Sequence, residues 1–213
     1  MLEIVNINEK KLSTKDQITI DIIRDGQEFL RNFDLDNELI LDCVSIIYRF
    51  LSVTRKIPHN IYKFYIAAYF IASRHPRAFH VQEPKKRFCR KFGIETRSLD
   101  YSVEKISNAL GFVKILDDKN NPYFFEPKKD IAFELVKKVV KSETEKAMMM
   151  FLLYHQPINS QILSEDLTNK IIFEMKMFPE ELFRQFFEII NQLVEKHLHS
   201  YYEYVELQQN VFI

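Results

Sequence analysis

The chain has 213 residues, 46% of them hydrophobic, with 19 Phe, 10 Tyr and no Trp, and its 30 Lys and Arg balance 30 Asp and Glu. That apolar share excludes a disordered chain, and two cysteines exclude both a disulfide scaffold and a CxxC-type zinc site. Three Gly and seven Pro supply few turns or bulges, so the expected fold class is mainly α.

The formal charge of zero conceals an uneven distribution along the chain. From Arg49 to Lys114, 14 Lys and Arg stand against 4 Asp and Glu, a net of +10. Residues 1–48 hold 5 against 10 and residues 115–213 hold 11 against 16, so each flank is −5. A basic block between acidic flanks is the electrostatic pattern of a surface that meets phosphates.

Residues 1–15 read as a polar lead-in. Helical spacing begins at Asp16, with Ile18, Ile22, Ile23, Phe29, Leu30 and Phe33 forming one stripe. A second helix is expected from Asn37, capped by Asp34 or Asp36, through Ser52, and Pro58 closes that segment. The third, IYKFYIAAYFIASRH, is apolar almost all round, the mark of a buried central helix, and Pro76 ends it. Helix four is expected from about Glu83 to Phe92, with Pro84 near its first turn and Gly93 as the left-handed stop. Helix five runs from the Thr96 cap to Leu110, and Phe88, Phe92, Ile94, Leu99 and Val103 are spaced to pack the two together. This is a helix-turn-helix pattern, with small Cys89 where the helices cross. Cys43 and Cys89 both read as buried free thiols.

Asp117 to Pro122 is turn chemistry between two apolar pieces, Phe112–Leu116 and Tyr123–Phe125. A connecting helix from about Ile131 to Val140 follows, and a domain boundary is expected between Pro127 and Lys141. Beyond it lie a short apolar helix at EKAMMMFLLYHQ, a turn or short strand at Pro157, a helix at QILSEDLTNKIIFEM, and an amphipathic helix opened by Pro179. Met148, Met149 and Met150 read as helix core. The last residues, HSYYEYVELQQNVFI, carry β-type side chains around Gln208 to Asn210 and suggest a hairpin that exposes some of Tyr201, Tyr202 and Tyr204. Three helices and a hairpin is the order of a winged helix. Its third helix carries Glu180, Glu181, Glu188 and Glu195 against Arg184 and Lys196, which favours protein over phosphate.

The run IAAYFIASRHP, EPKKRFCRKFGI and ETRSLDYSVEKISNALGF resembles one cyclin-type repeat of the transcription factor IIB family. With the two preceding helices the resemblance covers approximately residues 16–116. It implies a five-helix cyclin-like domain, a link to transcription, and a structural role for Arg74 that needs an internal acidic partner, Asp42 or Asp100. The family's cysteine-rich zinc ribbon is missing, and residues 129–213 suit a winged helix or a degenerate second repeat. The organisation expected is therefore a lead-in at 1–15, a cyclin-like domain at 16–128 and a small winged-helix-like domain at 129–213.

The candidate site is a set of cations: Lys85, Lys86, Arg87, Arg90 and Lys91 on the first helix of the hairpin, Arg97 and Lys105 on the second. They are expected to hold duplex DNA by its phosphates, with Arg97 nearest a base edge. Seven such contacts would give a log K against log salt slope of roughly −6. No catalytic constellation stands out: Gly26, Gly93 and Gly111 are too far apart for a phosphate-binding loop, and Asp34 with Asp36 reads as a cap. His75 and His80 flank Pro76 without further metal ligands nearby in sequence. No cofactor, metal or enzymatic activity is therefore expected. The partners expected are duplex DNA and, through the C-terminal part, a transcription-machinery protein or a second copy. The alternative is a cyclin-like adaptor between proteins that binds no nucleic acid, and a viral or mobile-element regulator is a third setting. With neither a signal-peptide core nor an apolar run of membrane length, the chain is expected to be intracellular. That means cytoplasmic and nucleoid-associated in a prokaryote or virus, or nuclear in a eukaryote.

Overall fold

A computed structural model of the chain describes residues 14–33, 35–76 and 82–211, with side chains from 17 to 203 of these. It is mainly helical: among the described residues there are eight α-helices and a single two-stranded sheet. The chain divides into two compact units, Met1–Ala72 with Lys85–Leu110, and Ser73–Pro84 with Gly111–Ile213. The junction between expected domains, near residue 129, falls inside the second unit.

The first unit holds α1 (Thr14–Arg31), α2 (Asn37–Thr54), α3 (Ile61–Ala72), α4 (Lys85–Lys91) and α5 (Thr96–Leu110). Asp36 caps α2 by accepting from Glu38 N at 2.9 Å; Asp34 lies outside the described residues. α3 is the core. From Phe64 to Ala72 all but Tyr69 are buried, as its near-continuous apolar sequence requires. Ala67 and Ala68 are fully buried, and their small side chains leave room for neighbouring helices. α1 approaches α3 closely at Gly26. A Cβ there would lie 2.6 Å from Tyr65 Cε1, and the Tyr65 hydroxyl donates to Ile22 O at 2.5 Å. Aromatic rings fill the space between α3 and the hairpin: Phe88 lies 4.6 Å from Phe92 and 5.0 Å from Phe70, and Phe33 lies 4.8 Å from Phe92, centroid to centroid.

The second unit begins with an antiparallel hairpin, β1 (Val113–Leu116) and β2 (Pro122–Phe125), in the register Val113 to Phe125. Buried Asp117 pins its turn by accepting from Lys119 N, Asn121 N and Asn121 Nδ2 at 2.7–2.9 Å. Then come α6 (Ile131–Tyr154), α7 (Ser160–Asn169), a π turn at Lys170–Glu174, a 3-10 turn at Glu180–Leu182 and α8 (Phe183–Val211). Their core joins Phe133, Val136, Val140 and Met148 of α6 to Leu167 of α7 and Phe186, Ile190, Val194 and Leu198 of α8.

Three expectations are corrected here. The pieces expected at 131–140 and 145–156 are one continuous helix, α6. The polar KSETEK stretch does not interrupt it, because Thr144 is buried and returns its hydroxyl to Val140 O at 2.8 Å. The terminal β-hairpin is not formed, since α8 runs through Val211. Tyr201 packs on the core as the next member of the row Phe186, Ile190, Val194 and Leu198, so that row extends a helix already begun, and no Gly or Pro stops it. The only hairpin among the described residues precedes the three helices, an order that a winged helix does not have. Finally, the methionine run is not all core: Met148 is 2% exposed, but Met149 and Met150 are 58% and 42% exposed.

Candidate functional site

The helical hairpin is built by local rules. α4 ends in a Schellman motif: Gly93 has φ 59°, Ile94 N donates to Cys89 O at 3.0 Å, and Gly93 N donates to Arg90 O at 3.4 Å. Buried Ile94 and Cys89 accompany that turn, and Leu99 N then reaches back to Glu95 O at 3.0 Å as α5 starts. At the start of α5, Ser98 Oγ accepts from Lys63 Nζ of α3 at 3.1 Å.

α4 turns Phe88 and Cys89 inward. The i, i+4 pairs Lys86 with Arg90, and Arg87 with Lys91, therefore lie on the opposite, exposed side. Four cations share two turns, and Lys91 Nζ rests 5.4 Å from the Phe92 ring centroid. Lys85 is half-buried and pairs with Asp100 of α5, so its charge is compensated within the hairpin. On α5, Arg97 and Lys105 are exposed, and Lys105 Nζ lies 5.5 Å from the centroid of the Tyr101 ring. The structure thus brings six of the seven expected cations to the exposed side of the hairpin and ties the seventh down.

Arg74 is buried, as its expected structural role requires, but its partners lie elsewhere. Its Nη2 donates to Glu83 O at 2.7 Å and its Nη1 to Ser73 Oγ at 3.3 Å, while its own carbonyl accepts from Phe124 N at 3.0 Å. Asp100 is engaged by Lys85 instead. Next to it, His75 Nε2 meets Asp130 Oδ2 at 2.6 Å, and the other oxygen of that buried carboxylate caps α6 through Ala132 N and Phe133 N. His75 is therefore committed to a structural pair; His80 lies outside the described residues. Among the described residues no group of three or more His, Cys, Asp and Glu is placed to hold a metal ion. Cys43 and Cys89 are free and buried, and burial, followed by the charge of Asp42, pushes the Cys43 thiol well up.

Two features escaped the sequence reading. The last turns of α6 expose Met149, Met150, Leu152, Leu153 and Tyr154 around most of the helix circumference. The outer face of α5 carries a row spaced 4, 3 and 4, Arg97, Tyr101, Glu104 and Asn108, directly opposite buried Leu99, Ser102, Val103, Ile106 and Leu110. Its helical spacing was legible in advance, but its exposure follows only from how α5 packs. No helix of the described residues is long and apolar enough to cross a membrane. No family model, curated protein or solved structure is significantly similar to this chain.

Proposed function

We propose that this chain is a DNA-binding transcription regulator, a divergent single-repeat relative of the transcription factor IIB family with a cyclin-like N-terminal domain. It would hold duplex DNA through the α4–α5 hairpin and a transcription-machinery protein or a second copy through its C-terminal unit. One observation carries the reading: Lys86, Arg87, Arg90 and Lys91 all project from the exposed side of α4, on a helix fixed by a Schellman turn and a buried aromatic cluster. Cations displayed on a rigid helix lose little conformational freedom when they meet phosphates, and together they release counterions. The mechanism is binding alone. Steering by the basic block brings the hairpin to DNA, and the neutral Lys85–Asp100 pair preserves the helix crossing.

The test is a mobility-shift titration with Lys86→Ala, Arg87→Ala, Arg90→Ala and Lys91→Ala combined. These four side chains are exposed, so helicity should be retained. We expect affinity for duplex DNA at low salt to fall at least a hundredfold. Unchanged affinity overturns the DNA reading.

A protein adaptor without nucleic-acid binding is the second reading, favoured by the exposed apolar end of α6. A helix apolar around most of its surface is ordinarily covered. In that case Leu153→Lys, at a position 66% exposed, would abolish partner capture from nuclease-treated lysate while the four-cation variant retained it.

A further inference from the structure

We infer that the uncharged corner where α6 ends and α7 begins is the surface through which two copies of this chain associate. This rests on the protein-partner half of the proposal above, where a second copy is one of two candidates, and it does not depend on DNA binding. Met148 is the last buried residue of α6. The helix nevertheless continues to Tyr154, about 9 Å beyond that point. It stops there on a left-handed His155, whose N–H donates to Phe151 O at 2.9 Å. Along this overhang Met149, Met150, Leu152, Leu153 and Tyr154 are exposed, and so is Ile162 in the first turn of α7. The composition changes at the same place. Up to Lys146 the exposed side of α6 carries Lys138, Lys141, Glu145 and Lys146 itself. From Ala147 to Ser164 there is no Lys, Arg, Asp or Glu, in a chain of which 28% is charged.

Area and charge together point to a second copy. The six apolar side chains leave roughly 600 Å² in water, the top of the range for the largest apolar patch on a monomer. With the exposed loop between the two helices the surface approaches roughly 800 Å², the share that each partner contributes to a standard-size interface. Met and Tyr without charge are also the composition of the buried centre of an interface. A two-fold contact sets a patch against itself, so a charge at its centre faces its own like, and a patch with none escapes that repulsion. At the edges the signs differ. Exposed Lys146 bounds the patch on α6, and exposed Glu165 and Asp166 bound it on α7, a rim that two copies can match across the axis. A bilayer is the poorer occupant. Anionic headgroups attract Lys and Arg around an apolar tip, whereas here Glu145, Glu165 and Asp166 outnumber Lys146.

The experiment is sedimentation velocity on the full chain over a range of concentrations, repeated for Leu153→Lys. We expect a dimer at about 10 µM. Leu153→Lys should raise the dimer Kd about a hundredfold, because a two-fold contact introduces the new charge twice. Leu153 is 66% exposed, so unchanged helicity separates dissociation from misfolding. A second measurement adds no charge. Leu153→Cys treated with a short bismaleimide should give a cross-linked dimer, while Tyr48→Cys, at an exposed position of α2, should not; Cys43 and Cys89 are buried and stay silent. A chain that sediments as a monomer throughout overturns the inference, whether it then captures another protein or binds phosphatidylserine vesicles. So does a dimer that survives Leu153→Lys, or that cross-links no better through position 153 than through position 48. The DNA reading stands or falls separately. If the four-cation variant keeps its DNA affinity, that reading fails while a dimer lost with Leu153→Lys still supports this one; a monomer that binds DNA overturns only the dimer.

Discussion

Gly26 and Gly93 are both glycines for reasons of backbone, but the reasons differ and can be separated. At Gly26 the conformation is ordinary helix and the constraint is space: a methyl would enter the ring of Tyr65, which is 1% exposed and held by its hydroxyl. At Gly93 there is open space, and the constraint is φ 59°. Gly26→Ala should therefore cost about 1–3 kcal/mol by overpacking, and Gly93→Ala about 1 kcal/mol by backbone strain alone. The two part company in rescue. Gly93→Asn should recover most of the loss, since Asn tolerates the left-handed region, whereas at Gly26 Asn should be worse than Ala. Chemical denaturation of the four variants reads this directly. The Gly93 stop was legible from a glycine following an amphipathic run. The crowding at Gly26 was not, because Tyr65 lies 39 positions away in sequence and only the packing of α1 on α3 brings it there.

At the scale of elements, α6 is fastened to the π turn by Glu143, which accepts from Lys146 Nζ at 3.0 Å on its own helix and from Lys170 Nζ at 3.2 Å across the gap. Hydrogen bonds from Lys146 first, then Lys170, hold the Glu143 carboxyl below its ordinary value of 4.5. A carboxylate whose pKa is lower folded than unfolded stabilises the fold above the unfolded value, and that contribution disappears as pH falls through the folded one. The intact chain should therefore lose stability between about pH 5 and pH 3 more steeply than Glu143→Gln. Parallel denaturation curves across that range would show that the tie contributes nothing. The same scale explains why α8 was read in part as a hairpin. Tyr and Val have strand propensity, but a helix already nucleated and packed from Phe186 to Leu198 extends by one hydrogen bond per residue. Propensity is a property of a few residues; the helix end is decided by everything that precedes it.

For the whole molecule, the proposed DNA binding makes the charge asymmetry testable as a salt dependence. Lys85 is paired with Asp100 and Arg87 is not free either, so Lys86, Arg90, Lys91, Arg97 and Lys105 would be the phosphate contacts of the proposed complex. Five contacts give a log K against log salt slope of about −4 to −5, shallower than the roughly −6 expected of all seven. The four-cation variant should retain a slope of about −2 from Arg97 and Lys105, and a slope that does not move with the substitutions would place the phosphate contacts elsewhere on the chain.

What the sequence determined by itself is local. The stripes of α1 and α2, the apolar α3, the glycine turn before Ile94, the Asp117 turn and the basic block were all legible, because each depends on a few neighbours and a fixed period. What only the tertiary structure decided depends on residues far apart in sequence. It brought Glu83 O to Arg74, paired Lys85 with Asp100, committed His75 to Asp130, and left the end of α6 exposed. It also turned one row of α5 outward by burying the other. The candidate site was thus half visible in advance: helical period places charges on a face, and packing decides which face meets the solvent.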